Sequence, residues 1–288
     1  MIWEYIFMGG IGLALGSFLN VVVLRYQGDA FLFSPRVAGG RSRCPHCKTD
    51  LRWFELIPIL SFLFLKAKCR TCREKISFQY PAVELLSAIL FLISYALVSS
   101  GSFSLSIELT TAILLGAVLW MLLLVALIDM KLRIIPDEAN LFILASGVIA
   151  LFAEKGLGVS FFPRIWEYGD IFGSWSPLTV HLLGMFAGLL FFVILLVASR
   201  GKAMGMGDVK LAAALGFLFG WPDILFITIL SFLLGGVWGG VVLFRKTHTM
   251  KSAVPFGPFL ALAAVLVVFF GRAIAQAYFI TLPGFLFL

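Results

Sequence analysis

The stretch GMGDVKLAAALGFLFGW, residues 205 to 221, sets Asp208 behind two glycines and at the head of an apolar run. Similar runs recur along the chain. Residues 85–107, 109–128, 139–153, 171–199, 211–222, 224–244 and 252–271 carry no charged side chain. Hydrophobic residues make up 61% of the 288 and charged residues 13%; the mean hydropathy is +1.05. A soluble domain of this length does not need so much apolar surface. Runs of about 20 residues match a hydrocarbon core of roughly 30 Å. In lipid every backbone polar group must be satisfied internally, which leaves helices or a closed barrel. Continuous rather than alternating apolar runs select helices. The chain is therefore read as an all-α polytopic membrane protein with about eight transmembrane helices. The expected spans are 5–24, 82–100, 108–128, 138–154, 178–198, 208–221, 223–244 and 254–279. No Lys or Arg precedes the first run and no small-residue cleavage site follows it, so it is not read as a cleavable signal.

Charge orients the spans. Cytoplasmic loops carry the excess of Lys and Arg. With residues 26–81 in the cytoplasm, all but Lys155, Arg164 and Arg272 of the 22 basic residues fall on that side. Both termini are then expected to be periplasmic. The net charge of +7 reflects this asymmetry and suits anionic membrane lipids. No reader fold for nucleic acid accompanies the basic residues, so no nucleic-acid partner is expected. The span 208–221 is the doubtful one, because 14 residues cover only about 21 Å. Either Asp208 lies below the membrane surface or residues 208–244 form a bent hairpin.

The soluble segment 26–81 holds all four cysteines, as CPHC at 44–47 and CRTC at 69–72. Two such knuckles suit one tetrahedral thiolate site for zinc, formed by Cys44, Cys47, Cys69 and Cys72. Disulfides do not fit a reducing compartment, and an iron–sulfur site is the competing metal reading. Four thiolates leave no open position, so the metal is expected to be structural and His46 a bystander. The domains expected are a first helix (1–25), a cytoplasmic tetra-cysteine module (26–81) and a membrane core (82–288).

Asp129 closes the uncharged run 109–128, and Asp208 opens another run from the same side. Ionisable groups at hydrocarbon are costly and are functional candidates. Asp208 has a capping reading, since an aspartate at a helix start satisfies free amides. Asp129 stands at a helix C-terminus, where the dipole disfavours an anion, unless Lys131 or Arg133 pairs with it. Two such carboxylates held close together share a proton, one charged and one neutral. That division suits activation of water and protonation of a peptide carbonyl, the chemistry of an aspartic protease. Gly205 and Gly207 are read as permitting close approach of a substrate backbone and unusual dihedrals.

The ordered motifs GSFLNVVVLR (16–25), the two knuckles, LIPILS (56–61), ISFQYPAVELLS (76–87), IDMKLRIIPD (128–137) and GMGDVKL (205–211) resemble those of the bacterial type IV prepilin leader peptidases. These are membrane aspartic proteases of the GxGD type, and the likeness spans nearly the whole chain. The resemblance implies that Asp129 and Asp208 are the catalytic pair. It implies a prepilin or type II secretion pseudopilin substrate, cut after a glycine that ends a short basic leader. It also implies N-methylation of the new N-terminus with S-adenosylmethionine, in the bacterial cytoplasmic membrane. No Gly-rich cofactor loop is visible. Asn20, Arg25 and Glu84 are the polar groups near the cytoplasmic ends of early spans. Asn20, Glu84 and Lys210 join Gly205 and Gly207 as expected substrate contacts, and an inward Lys210 favours an ionised dyad member. The competing readings are a proton-coupled transporter, against which both aspartates lie at one edge without an inverted repeat, and a metal-binding scaffold.

Overall fold

A computed structural model describes residues 2–99, 104–157, 175–202, 204–244 and 255–276. Arg164, Arg245, Lys246 and Lys251, which enter the charge asymmetry, lie outside the described residues. The described chain is helical: α1 (Ile2–Arg25), α2 (Leu60–Phe64), α3 (Gln79–Val98), α4 (Leu105–Leu132), α5 (Asp137–Leu157), α6 (Pro177–Ala198), α7 (Met206–Phe219), α8 (Asp223–Phe244) and α9 (Gly257–Gln276). All but α2 correspond to the eight expected spans. Five of them, α1, α3, α4, α6 and α8, are long and apolar enough to cross a membrane. The chain divides into two compact units, Met1–Trp120 and Met121–Leu288, with the boundary inside α4.

In the first unit α1 packs along α3. The contact rests on two glycines one turn apart. A Cβ on Gly12 would stand 2.6 Å from Ala88 Cα, and one on Gly16 would stand 2.7 Å from Glu84 Cα. Small residues four apart let backbones meet where lipid supplies no hydrophobic drive between helices. Trp120 on α4 donates its indole N–H to the Leu15 carbonyl at 3.1 Å. The segment between α1 and α3 is tied back by Arg25, whose guanidinium donates to the Val37, Gly39 and Arg41 carbonyls.

In the second unit α7 is the centre. It contacts α5, α6, α8 and α9, and nearly all of its side chains after Gly207 are buried. A helix that is apolar all round belongs in a core. This explains its 14-residue length. It is walled by protein, so it need not match the full hydrocarbon thickness. Glycines again permit the closest approach. A Cβ on Gly184 of α6 would meet the Gly216 carbonyl and stand 2.7 Å from Gly220 Cα, and one on Gly188 would stand 2.6 Å from the Ala212 carbonyl. Gly220, at φ +81°, ends α7 with a backbone that β-carbon residues rarely adopt. His181 is buried beside this crossing, with Nδ1 on the Phe217 carbonyl.

Replacing Gly16 by Val is expected to cost about 1–3 kcal/mol by overpacking. Gly10→Val, where an added Cβ meets nothing within 4 Å, serves as the control. Thermal unfolding of the two proteins in detergent checks this: Gly16→Val melts lower and Gly10→Val stays close to the parent.

Candidate functional site

Asp129 sits on the last turn of α4, and Asp208 on the first turn of α7. Both are in the second unit and both are nearly buried, at 5% and 8% exposure. Asp208 lies within electrostatic reach of Asp129, as does Arg133. The carboxylates end two different helices yet meet in one neighbourhood. Ile135, in the turn after α4, comes 3.1 Å from where a Gly207 Cβ would be.

Each carboxylate is held by a glycine amide. The Gly205 N–H donates to Asp208 Oδ2 at 3.0 Å. Gly205 is the N-cap of α7 and Asp208 its third residue, so the side chain reaches back over the helix start as in half of a capping box. The Gly257 N–H donates to Asp129 Oδ2 at 2.9 Å. Gly257 begins α9, so the anion that ends α4 unfavourably is received by the positive end of another helix. A Cβ on Gly257 would stand 2.7 Å from the same oxygen, closer than real contacts allow. Sequence reasoning missed Gly257. The Pro-Phe-Gly-Pro run at 255–258 marks a helix start, but nothing local says which anion it receives.

Two expectations need correction. Gly205 has φ −90° and ψ 161°, extended backbone open to any residue, and Gly207 is helical. Neither glycine is needed for an unusual dihedral; Gly207 packs closely on Ile135, while a Cβ on Gly205 would make only ordinary contacts. Lys210 does not point at the dyad. Its Nζ donates to both Asp137 oxygens at 2.8 Å on an exposed surface, because Lys210 falls on the outer side of the first turn of α7, facing the start of α5.

The remaining expected contacts lie in the first unit and are engaged by backbone. Asn20 Nδ2 donates to the Gly16 carbonyl at 3.3 Å and the Tyr80 carbonyl at 3.2 Å. Glu84 Oε2 accepts the Ile59 N–H at 2.7 Å. Ile59 has φ +59°, an outlier for a β-branched residue, and the buried carboxylate fixes it there. Arg25 also donates to backbone carbonyls, so all three groups have backbone partners.

The four cysteines come together. Their Sγ atoms all lie within 4.8 Å of one another, and Cys44 and Cys72 are 3.9 Å apart. Tetrahedral bonds of about 2.3 Å to zinc require sulfurs roughly 3.8 Å apart. The two knuckles have the same build. An antiparallel bridge brackets each, Arg43 with Asp50 and Lys68 with Lys75. The Cys44 N–H donates to Thr49 O and the Cys69 N–H to Glu74 O. Lys48 and Arg73 close the turns at φ +60° and +61°. The Thr49 hydroxyl, 3.3 Å from Cys47 Sγ, and the Thr49 amide bring the Cys47 pKa down to about 6. The Cys72 and Thr71 amides lower that of Cys69. At Cys72 the Glu74 amide favours the thiolate, yet desolvation and the other three sulfurs push the pKa up to about 11. Four thiolates cannot coexist here without a cation among them, so the residues fit a thiophilic metal. His46 is exposed and outside the cluster.

Two substitutions test these arrangements. Gly257→Ala puts a methyl group against Asp129 Oδ2 and is expected to cost about 1–3 kcal/mol by overpacking, read as a lower thermal unfolding temperature in detergent. Metal analysis of the purified protein should find about one zinc per chain, lost on Cys69→Ser.

Comparison with known proteins places these features. The model of the bacterial peptidase A24 N-terminal domain matches residues 11–98. That of the type IV leader peptidase family matches residues 114–240. A prepilin leader peptidase/N-methyltransferase of Aeromonas salmonicida (strain A449) is 32% identical over 295 residues, covering 94% of this chain and 92% of its own. One of Bacillus subtilis (strain 168) is 32% identical over 268 residues, covering 93% and 94%. The type 4 prepilin-like proteins leader peptide-processing enzyme of Escherichia coli O78:H11 (strain H10407 / ETEC) is 31% identical over 277 residues, covering 90% and 91%. No solved structure matches.

Proposed function

The chain belongs to the type IV leader peptidase family, a membrane enzyme joining a peptidase to an N-methyltransferase, and from that premise we propose that Asp129 and Asp208 cut its substrate's leader. The observation that carries this is the pair itself: two buried carboxylates, from the end of α4 and the start of α7, within electrostatic reach and each steadied by one glycine amide. One is ionised and takes a proton from water as the water oxygen attacks the scissile carbonyl. The other is protonated and gives its proton to the carbonyl oxygen. Collapse of the tetrahedral adduct breaks the C–N bond, and the amine leaves with a proton from the dyad. Amide donors hold the anions without neutralising them, so the sharing of one proton survives.

The substrate is the precursor of a type IV pilin or a type II secretion pseudopilin. It is cut after the glycine that ends its basic leader, at the cytoplasmic face of the bacterial inner membrane. Both termini lie in the periplasm, and the basic cytoplasmic loops rest on anionic lipid headgroups. When bound, S-adenosylmethionine would supply the electrophilic methyl group for methylation of the freed N-terminal amine. Asn20, Arg25 and Glu84 are engaged elsewhere, so no step of that transfer is assigned to them. Residues 26–81 act as a cytoplasmic module that zinc would hold in shape, with Cys44, Cys47, Cys69 and Cys72 as the residues that would bind it and a structural rather than catalytic role for the metal. Residues 82–288 supply the proteolytic core. A proton-coupled transporter finds no support, since both carboxylates end helices at one edge.

The test uses purified protein and a pilin precursor, read by mass spectrometry. Asp129→Asn and Asp208→Asn are each expected to slow leader removal about 10²–10⁴-fold, with methylation of a pre-cut pilin retained. Cutting at the parental rate by either variant removes that residue from the dyad.

A further inference from the structure

Between Arg52 and Lys66 the chain reads WFELIPILSFLFL, residues 53–65, with Glu55 as its one charged side chain. That carboxylate does not face outward. It accepts the Arg52 N–H at 2.8 Å and lies 3.4 Å from the Arg70 guanidinium, with its side chain 5% exposed. The apolar side chains are the ones turned out: Trp53 is 77% exposed, Leu63 63% and Phe64 81%. On α2, Leu60, Leu63 and Phe64 fall at i, i+3 and i+4 and so share one face, and all three are exposed. An exposed apolar patch of this kind marks a contact with a membrane or with another protein.

The patch lies beside a membrane helix. Glu84, on the second turn of α3, accepts the Ile59 N–H at 2.7 Å. The rings of Phe62 and of Phe78, the residue before α3, meet edge to face at 6.3 Å. The Ile76 N–H donates to the Ala67 carbonyl at 2.8 Å. The segment around α2 is thus tied at three points to the start of α3, a helix long and apolar enough to cross a membrane. Each residue of a helix rises 1.5 Å, so Glu84 lies about 7 Å in from the first residue of α3. Glu84 therefore holds the start of α2 at the depth of the first turns of α3, not out in the water beyond them.

Backbone and charge both suit that depth. Amides in lipid have no water to donate to. Pro58 has none to satisfy. Ser61, Leu63, Leu65, Lys66, Ala67 and Lys68 donate to carbonyls within residues 57–65. Ile59, at φ +59°, starts the helix and gives its amide to Glu84. A buried carboxylate is thus spent on an amide at the very start of α2. Exposed Arg52, Lys66 and Lys68 bracket the patch. Residues 26–81 hold ten basic side chains against four acidic ones, and Asp29, Asp50 and Glu55 among the four are already paired with arginines. An apolar face edged by unneutralised cations matches acyl chains under anionic headgroups.

We propose that residues 53–65 enter the boundary between headgroups and acyl chains of the bilayer that α3 crosses and return to the same side, holding the four-cysteine segment against the membrane. Leu60, Leu63 and Phe64 lie among the acyl chains, and Arg52, Lys66 and Lys68 lie at the phosphates. Part of the segment read from the sequence as soluble is then embedded in one leaflet. Only the crossing of the bilayer by α3 is needed for this, not the identity of the cutting residues.

The experiment places the full-length protein in lipid nanodiscs whose acyl chains carry bromine either near the headgroup or near the terminal methyl. Tryptophan emission is read with each lipid and with iodide in the water. The probes are Leu63→Trp and Phe64→Trp, each as the difference from the parent, and the native Trp53, as the difference between the parent and Trp53→Phe. All three positions are already exposed on the patch, and Trp53 reports without any added side chain. Emission at 63 and 64 is expected to be quenched at least about twofold more by the shallow bromines than by the terminal ones, as an element seated about 5–10 Å into the boundary requires. Trp53 is expected to follow the same order, and iodide is expected to reach none of the three. Quenching by iodide without quenching by bromine means that the patch faces water and overturns the proposal. Quenching by neither means that a second copy or another protein covers it, and overturns the proposal as well. Stronger quenching by the terminal bromines makes the segment a deep insertion and contradicts the interfacial seat.

Discussion

A carboxylate buried at the edge of a membrane needs a donor, and the choice of donor decides what it can do. A lysine or arginine in full contact satisfies the charge and also pins it. A single backbone amide satisfies one oxygen and leaves the proton free to be shared. Both aspartates of this site take the second course. Asp208 turns back onto the amide of the residue that starts its own helix, and Asp129 reaches the amide that starts a remote one, 128 residues along the chain. Lys210, the nearest cation in sequence to Asp208, is spent on Asp137 at the surface. The rest of the second unit serves to keep those two amides in place.

That task falls to packing rather than to charge. The central helix α7 is enclosed by four others, and its partner α6 approaches until glycine backbones touch at Gly184 and Gly216. In lipid such contacts carry much of the specificity that the hydrophobic effect supplies in water. A short, fully walled helix also places its first turn at a set depth. Asp208 therefore stands on the first turn of the most enclosed helix, nearly buried.

The large features were legible from residues alone. Uncharged runs marked the eight principal helices because burial in lipid forbids charges over a whole span. Paired Cys-x-x-Cys turns marked the four-cysteine cluster because each turn closes locally around its sulfurs. Asp129 and Asp208 stood out because a carboxylate at such a run is expensive. What remained hidden is pairwise and non-local. The Gly257 amide as the partner of Asp129 has no periodic or compositional signature, and neither has the seat of Gly12 and Gly16 on α3. The glycines before Asp208 invited a conformational reading, while the structure uses Gly207 for space against Ile135. The sequence left the direction of Lys210 open, and the register of α5 beside α7 pairs it with Asp137.

The claim that two carboxylates share one proton over a peptide bond is tested most directly by a tetrahedral mimic. A precursor peptide whose scissile carbonyl is replaced by a secondary alcohol should bind the parental protein at least about 10²-fold more tightly than the intact peptide, as transition-state analogues do. That advantage should vanish in Asp129→Asn and in Asp208→Asn, while binding of the intact peptide stays within a few-fold. A mimic that binds no better than the intact peptide, or equally well to all three proteins, contradicts the account.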